Sequence, residues 1–130
     1  LAELSGDDDW ARVEVVGTGP ALLDRGRLHQ ILVNLLSNAR KHGRPPVLVH
    51  ADVGPDRTRV RVSDHGPGLA QEDQATAFAP LGSTPGTDSV GLGLWIVRTL
   101  ARAHGGEAIY TVHEGLPTFE VTLPHRSTPR

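Results

Sequence analysis

The segment RLHQILVNLLSNARKHG, residues 27–43, carries two unlike stripes on one helix, and that combination limits what the rest of the chain can be. Leu28, Ile31, Leu32, Leu35, Leu36 and Ala39 recur at spacings of three and one, which puts them on one helical face and predicts that this face lies on a core. Asn34, Asn38 and Lys41 follow at i, i+4 and i+7 and form a second line, flanked by Gln30 and Arg27. Asparagine is a poor mid-helix residue because its amide competes with the backbone. A solvated helix face accounts for the line. So does a binding role in which neutral amide oxygens ligate a hard cation already carrying phosphates, with the lysine meeting remaining negative charge. Spacing does not choose between the two.

At 130 residues the chain is long enough for one domain with its own core. It has no cysteine, which excludes disulfides and thiolate metal sites. A net charge of -2, with no basic stripe interleaved with aromatics, gives no footprint for nucleic acid. The apolar runs are too short for a membrane span, and no secretory pattern opens the chain, although a larger membrane-bound protein can contain such a segment. The acidic run Asp7-Asp8-Asp9 lacks the alternating ligands and closing Glu of a calcium loop. Residues 1–10 are expected to be a flexible remnant and residues 125–130 a flexible tail, around a domain spanning 11–124.

A valine-rich strand is predicted from Ala11 to Val16, a turn at Gly17-Thr18-Gly19-Pro20, an extended piece from Ala21 to Leu23, and Asp24 as N-cap of the principal helix. Gly43 stops that helix and Pro45-Pro46 prevents its resumption. Alternation then predicts a hairpin of Val47–Val53 and Thr58–Asp64, in which Asp64 shares the inward parity of Val60 and Val62 while Arg57, Arg59 and Arg61 face water. A buried carboxylate needs donors. The amides of the following His65-Gly66-Pro67-Gly68 loop can supply them, and so can a ligand amino group such as the exocyclic amine of adenine, approaching closely over glycines. Gln71 to Phe78 is expected to form a short helix. Ala79 to Val90 reads as a loose surface loop or a mobile cover. Gly91-Leu92-Gly93-Leu94 opens a second helix, closed by Gly105-Gly106, and its glycines can turn backbone N–H groups toward an anion. Ile96 stands where a dinucleotide fingerprint needs its third glycine, and no GK[ST] sequence exists for a P-loop. Glu107 to Val112 and Thr118 to Leu123 form a closing hairpin.

In this order the segments resemble the ATP-binding catalytic domain of bacterial sensor histidine kinases, within the superfamily that includes DNA gyrase B, Hsp90 and MutL. NLLSNARKHG resembles the N box, SDHGPGLA the first glycine box, Ala77-Phe78 the F box, GLGLWIV with AHGG the second glycine box, and TFEVTLP the closing strand. The likeness runs from about Val13 to Pro124. It implies an α+β fold, a two-layer sandwich of a mixed sheet of about five strands with helices on one face.

Carried over by position, the resemblance makes Asn38 a Mg2+ ligand and sets Asn34 beside it, where hydrolysing relatives carry a glutamate base. Asn34, Asn38 and Lys41 become the catalytic group, Lys41 meeting phosphate. His42 stands beside adenine, and Asp64 reads the adenine amino group, with Gly66, Gly68 and Leu69 shaping the pocket. Phe78, Gly91, Leu92, Gly93 and Leu94 complete the nucleotide-binding set. The implied ligands are ATP and Mg2+, and the implied partners are a phosphoacceptor dimerisation domain and a response regulator. The implied setting is a cytoplasmic domain of a membrane-anchored parent, monomeric when isolated. Two departures stand out. Leu81 and Ser83 lie near places where the family carries an aromatic and a basic residue, and Asp88-Ser89-Val90 replaces a glycine-rich run. No Lys or Arg lies between Arg61 and Arg98. None of the 7 histidines sits in a phosphoacceptor context, so the chain is expected to bind ATP without phosphorylating itself. The alternative implied by the same scaffold is a nucleotide-binding regulatory module that acts by protein contact.

Overall fold

The computed structural model describes residues 10–17, 25–74, 76–79 and 88–125. The expected Asp24 cap, the Ala21–Leu23 piece, most of the Gly17–Pro20 turn and the cover over 80–87 lie outside the described residues, as do 1–9 and 126–130. In chain order the elements are β1 (Ala11–Gly17), α1 (Arg25–His42), β2 (Val47–Val53), β3 (Arg57–Ser63), α2 (Gln71–Gln74), α3 (Asp88–Ala103), β4 (Glu107–His113) and β5 (Leu116–Pro124). The strands form one mixed sheet in the order β1-β2-β3-β5-β4. β1 runs parallel to β2, as the intervening α1 crossover permits, and the remaining neighbours are antiparallel. The α+β architecture implied by the resemblance is the observed one.

The apolar stripe of α1 does what its spacing requires. Ile31, Leu35, Leu36 and Ala39 are buried, with Leu28 and Leu32 packed at the margin. Leu94, Val97 and Ala101 of α3 join them, and both helices meet the valine-rich inner face of the sheet, where Val47, Val49, Val60, Val62 and Val121 are buried. No helix among the described residues is long and apolar enough to cross a membrane.

Several expectations shift by a few residues. The helix expected over Gln71 to Phe78 stops at Gln74, and residues 76–78 form a turn. α3 begins at Asp88, three residues before Gly91, so residues 88–90 are helical rather than loose. Trp10, read as part of a flexible remnant, packs against the core beneath the Arg40 guanidinium, 4.9 Å from its ring centroid, and its carbonyl accepts the Val47 N–H at 2.6 Å. His125, placed in the tail, donates its N–H to Asp56 at 2.7 Å, and its ring Nε2 shares a hydrogen bond with the Thr58 hydroxyl at 2.8 Å.

The outer face of the sheet is polar but not fully open. Pairing aligns Glu14, His50, Arg61 and Glu120 across successive strands. His50 Nδ1 lies 2.9 Å from Glu14, and Arg61 Nε donates to Glu120 at 2.9 Å with Arg59 3.7 Å away. The arginine side chains expected to face water are therefore only 20% exposed at Arg61 and 32% at Arg59, because opposite charges directly across a strand pair draw them down onto the sheet.

Glu107 ties β4 to α3. It accepts hydrogen bonds from Arg98 Nε at 3.0 Å, Arg102 Nη2 at 3.1 Å and its neighbour's amide, Ala108 N–H, at 2.9 Å. The Arg98 hydrogen bond chiefly, then Arg102 and the Ala108 amide, outweigh burial and lower its carboxyl from 4.5 to about 2. Protons bind the unfolded chain more readily, so this stabilisation is complete above pH 4.5 and declines as pH falls from 4.5 toward 2. Acid titration of melting temperature should show that decline, flattened in Glu107→Gln. Leu35, fully buried, should cost about 2–5 kcal/mol when cut to alanine, measured by urea unfolding.

Candidate functional site

The site begins where α1 ends. Gly43 closes the helix by donating its N–H to Ala39 at 2.8 Å, with Arg40, Lys41 and His42 complementing the negative helix terminus. The following loop is stitched to the one after β3. His65 N–H donates to the Arg44 carbonyl at 2.9 Å, and His65 Nδ1 lies 2.8 Å from the Pro46 carbonyl. Asp64 N–H donates to Pro117 at 3.2 Å, which fixes the same point to β5.

These bonds hold the Asp64 side chain where its inward parity places it, 8% exposed. Its Oδ1 accepts the Gly66 N–H at 2.6 Å and the Arg44 N–H at 3.4 Å. Oδ2 takes no hydrogen bond among the described residues. Loop amides thus satisfy the first oxygen, as one of the two readings of the inward acid expects.

Asp64 lines a cavity of about 40 Å³ together with Asn38 and His42 of α1, Gly68 and Leu69 of the glycine loop, and Tyr110, Pro117 and Phe119 of the closing hairpin. Asn38 and Asp64, 26 positions apart in sequence, share one hollow. A larger hollow of about 350 Å³ lies on the outer sheet face, over Leu48, His50, Arg61 and Ser63, and contains none of the sequence-predicted site residues.

The other candidates divide. Asn34 is half-buried one turn before Asn38, and its amide nitrogen donates to the Gln30 carbonyl at 3.0 Å, which leaves its oxygen available. Asn38 makes no hydrogen bond among the described residues. Mg2+ keeps several waters and needs only one or two protein oxygens beside phosphate, so two amide oxygens one turn apart fit it. No group of three or more His, Cys, Asp or Glu side chains suited to a metal occurs among the described residues. Lys41 is exposed and His42 lies on the cavity rim. Gly91 falls in the first turn of α3, whereas Gly93 lies beyond it, so the unpaired N–H groups of that terminus belong mostly to residues preceding the expected pair. Leu94 is fully buried in the core, so its side chain packs rather than faces a ligand. Phe78 does not line the cavity; it stands behind Phe119, edge-on, with centroids 6.0 Å apart.

Sequence reasoning missed Tyr110, Pro117, Phe119 and the Arg44 amide as parts of the site. The sequence placed Phe119 only within the closing hairpin, with nothing to link it to Asp64. It also read Gly43 merely as a helix stop. A Cβ there would overlap the Asp64 carboxyl carbon and lie 2.6 Å from both oxygens, so Gly43 is what lets the acid reach the helix end. Gly68 has φ +77°, and a Cβ there would lie 2.6 Å from the Tyr110 hydroxyl, which accepts the Leu69 N–H at 3.1 Å. Gly68→Ala should cost about 1–3 kcal/mol. Gly43→Ala should expel the carboxylate and cost a similar amount, about 1–3 kcal/mol. Chemical denaturation measures both, and loss of the Gly66 amide's hydrogen-exchange protection in Gly43→Ala marks the displaced acid.

Residues 23–127 match the family model for histidine kinase-, DNA gyrase B-, and HSP90-like ATPases. Over 114 residues the chain is 37% identical to the signal transduction histidine-protein kinase AfsQ2 of Streptomyces coelicolor, covering 84% of this chain and 21% of that one. Over 108 residues it is 37% identical to the probable sensor histidine kinase TcrY of Mycobacterium tuberculosis, covering 78% and 23%. The chain thus spans about a fifth of such relatives. Among solved structures, full-length ShkA in complex with AMPPNP aligns with TM-score 0.74 and 33% identity over 92% of this chain and 26% of that one. The histidine kinase domain of the E. coli osmosensor EnvZ aligns with TM-score 0.73 and 25% identity over 99% and 83%.

Proposed function

The chain belongs to the histidine kinase-, DNA gyrase B-, and HSP90-like ATPase family, and from that premise we propose that it is the ATP-binding catalytic domain of a two-component sensor histidine kinase. The observation that carries this reading is the meeting of the Asp64 carboxylate and the Asn38 amide in one hollow, with Oδ2 of the acid uncommitted. Asp64 accepts the exocyclic amine of adenine through that oxygen while the loop holds the other. Gly66 and Gly68 keep the base approach clear, and His42 and Leu69 border it. Asn38, with Asn34 one turn earlier, offers amide oxygens to Mg2+, and Lys41 supplies positive charge toward the phosphates. The metal, when bound with the nucleotide, neutralises triphosphate charge. Asn34 cannot act as a general base, because an amide does not take up a proton near neutral pH. That suits a domain that holds ATP for transfer rather than spending it on water.

The γ-phosphoryl acceptor is a histidine on a separate dimerisation domain of the parent chain, and a response regulator receives the group afterwards. The regulatory-module alternative gains nothing from AfsQ2 and TcrY, both named as histidine kinases. Asp64→Asn is the direct test. The asparagine oxygen still accepts the Gly66 N–H, but its NH2 opposes the adenine amine. Affinity for MgATP should fall roughly ten- to a hundredfold with the fold retained, read by calorimetry alongside a melting curve. Asn38→Ala should remove the Mg2+ dependence of ATP binding in the same measurement. Joined to an acceptor-histidine domain, the chain should pass label from γ-labelled ATP to that histidine. Binding without any transfer would favour the regulatory module.

A further inference from the structure

We propose that Arg98 is a positioning residue for the base end of this site: locked onto Glu107, its guanidinium covers the Phe78 ring, and Phe78 in turn backs Phe119, which lines the Asp64 cavity. The inference rests on the reading of that cavity as the adenine end.

The connection is continuous. Arg98 Cζ lies 5.5 Å from the Phe78 ring centroid, within the range of a cation–π contact. The same guanidinium grips Glu107 at both oxygens, Nε to Oε1 at 3.0 Å and Nη2 to Oε2 at 3.4 Å, so it cannot rotate off the ring without breaking a forked pair. Phe78 meets Phe119 edge-on at 84°, and Phe119 meets Tyr110 at 5.2 Å. Phe119 and Tyr110 line the cavity, and the Tyr110 hydroxyl holds the Leu69 amide. Because Phe119 and Tyr110 form part of its lining, how firmly the ring array is held sets the shape that the cavity offers a base. Arg98 is also the first Lys or Arg after Arg61.

Arg102 provides the contrast. It pairs with the same carboxylate, Nε at 3.2 Å and Nη2 at 3.1 Å, yet it is 55% exposed and stands over no ring among the described residues. If the Glu107 cluster only tied α3 to β4, the two arginines would act alike.

The experiment measures ADP and MgATP affinity by calorimetry, with melting curves, on the 130-residue chain. Arg98→Ala should weaken both nucleotides roughly three- to tenfold, while Arg102→Ala stays within about twofold of the parent despite a comparable loss of melting temperature. Arg98→Lys, which keeps a cation near the ring, should recover part of the affinity. Phe78→Leu should reproduce the loss, and adding Arg98→Ala to it should cost nothing more. Should Arg98→Ala fail to fold, Arg98→Gln is read in the same way. Equal affinity losses in the two arginine variants, or a full Arg98→Ala effect on the Phe78→Leu background, overturn the inference while leaving nucleotide binding by the parent intact. A parent that binds no adenine nucleotide overturns the functional reading and this inference with it.

Discussion

The site depends on one buried carboxylate held between two loops. Asp64 lies at the end of a central strand and against the C-terminus of α1, where a helix dipole disfavours negative charge. The amides of Gly66 and Arg44 satisfy one of its oxygens, and the absence of a side chain at Gly43 makes room for it. The bonds from His65 to Arg44 and from Asp64 to Pro117 lock the arrangement from both sides. Because one oxygen is spent on the fold and the other is not, the same residue can be structural and available to a ligand. The hollow beside it exists because α1, β3 and the closing hairpin all terminate near this point.

The two sides of the sheet have separate tasks. The inner face is aliphatic and carries the helices, and its packing fixes where the polar line of α1 meets Asp64. The outer face carries a polar row across four strands, Glu14, His50, Arg61 and Glu120, with an acid at each end, and Ser63 and Thr118 share a buried hydroxyl hydrogen bond of 2.7 Å. No helix among the described residues covers that face. The larger hollow on that side offers few uncommitted groups, since its Arg61 and His50 are already engaged with acids.

α3 links the ends of the site. Its first turns carry the glycines of the second box, its middle buries Leu94 and Val97, and its later turns present Arg98 and Arg102 to Glu107. Between Arg61 and Arg98 the sequence holds no Lys or Arg. In this chain the positive charge of α3 is spent on β4 and on the ring of Phe78.

The sequence by itself determined the elements whose periodicity is local: the buried stripe of α1, the alternation that turns Asp64 inward, the glycine stops at Gly43 and Gly105, and the ordered boxes that point to the family. It misplaced the ends of α2 and α3, because boundaries follow tertiary packing more than propensity. It read Leu94 as part of the nucleotide site, whereas its helical position turns the side chain into the core. Only the tertiary structure decided that Tyr110, Pro117 and Phe119 share a cavity with Asn38, that Gly43 is a spacer for Asp64, and that Arg98 reaches Phe78. Those contacts join residues from 20 to more than 70 positions apart, and no spacing rule along a chain encodes which ends of separate elements a common core will bring together.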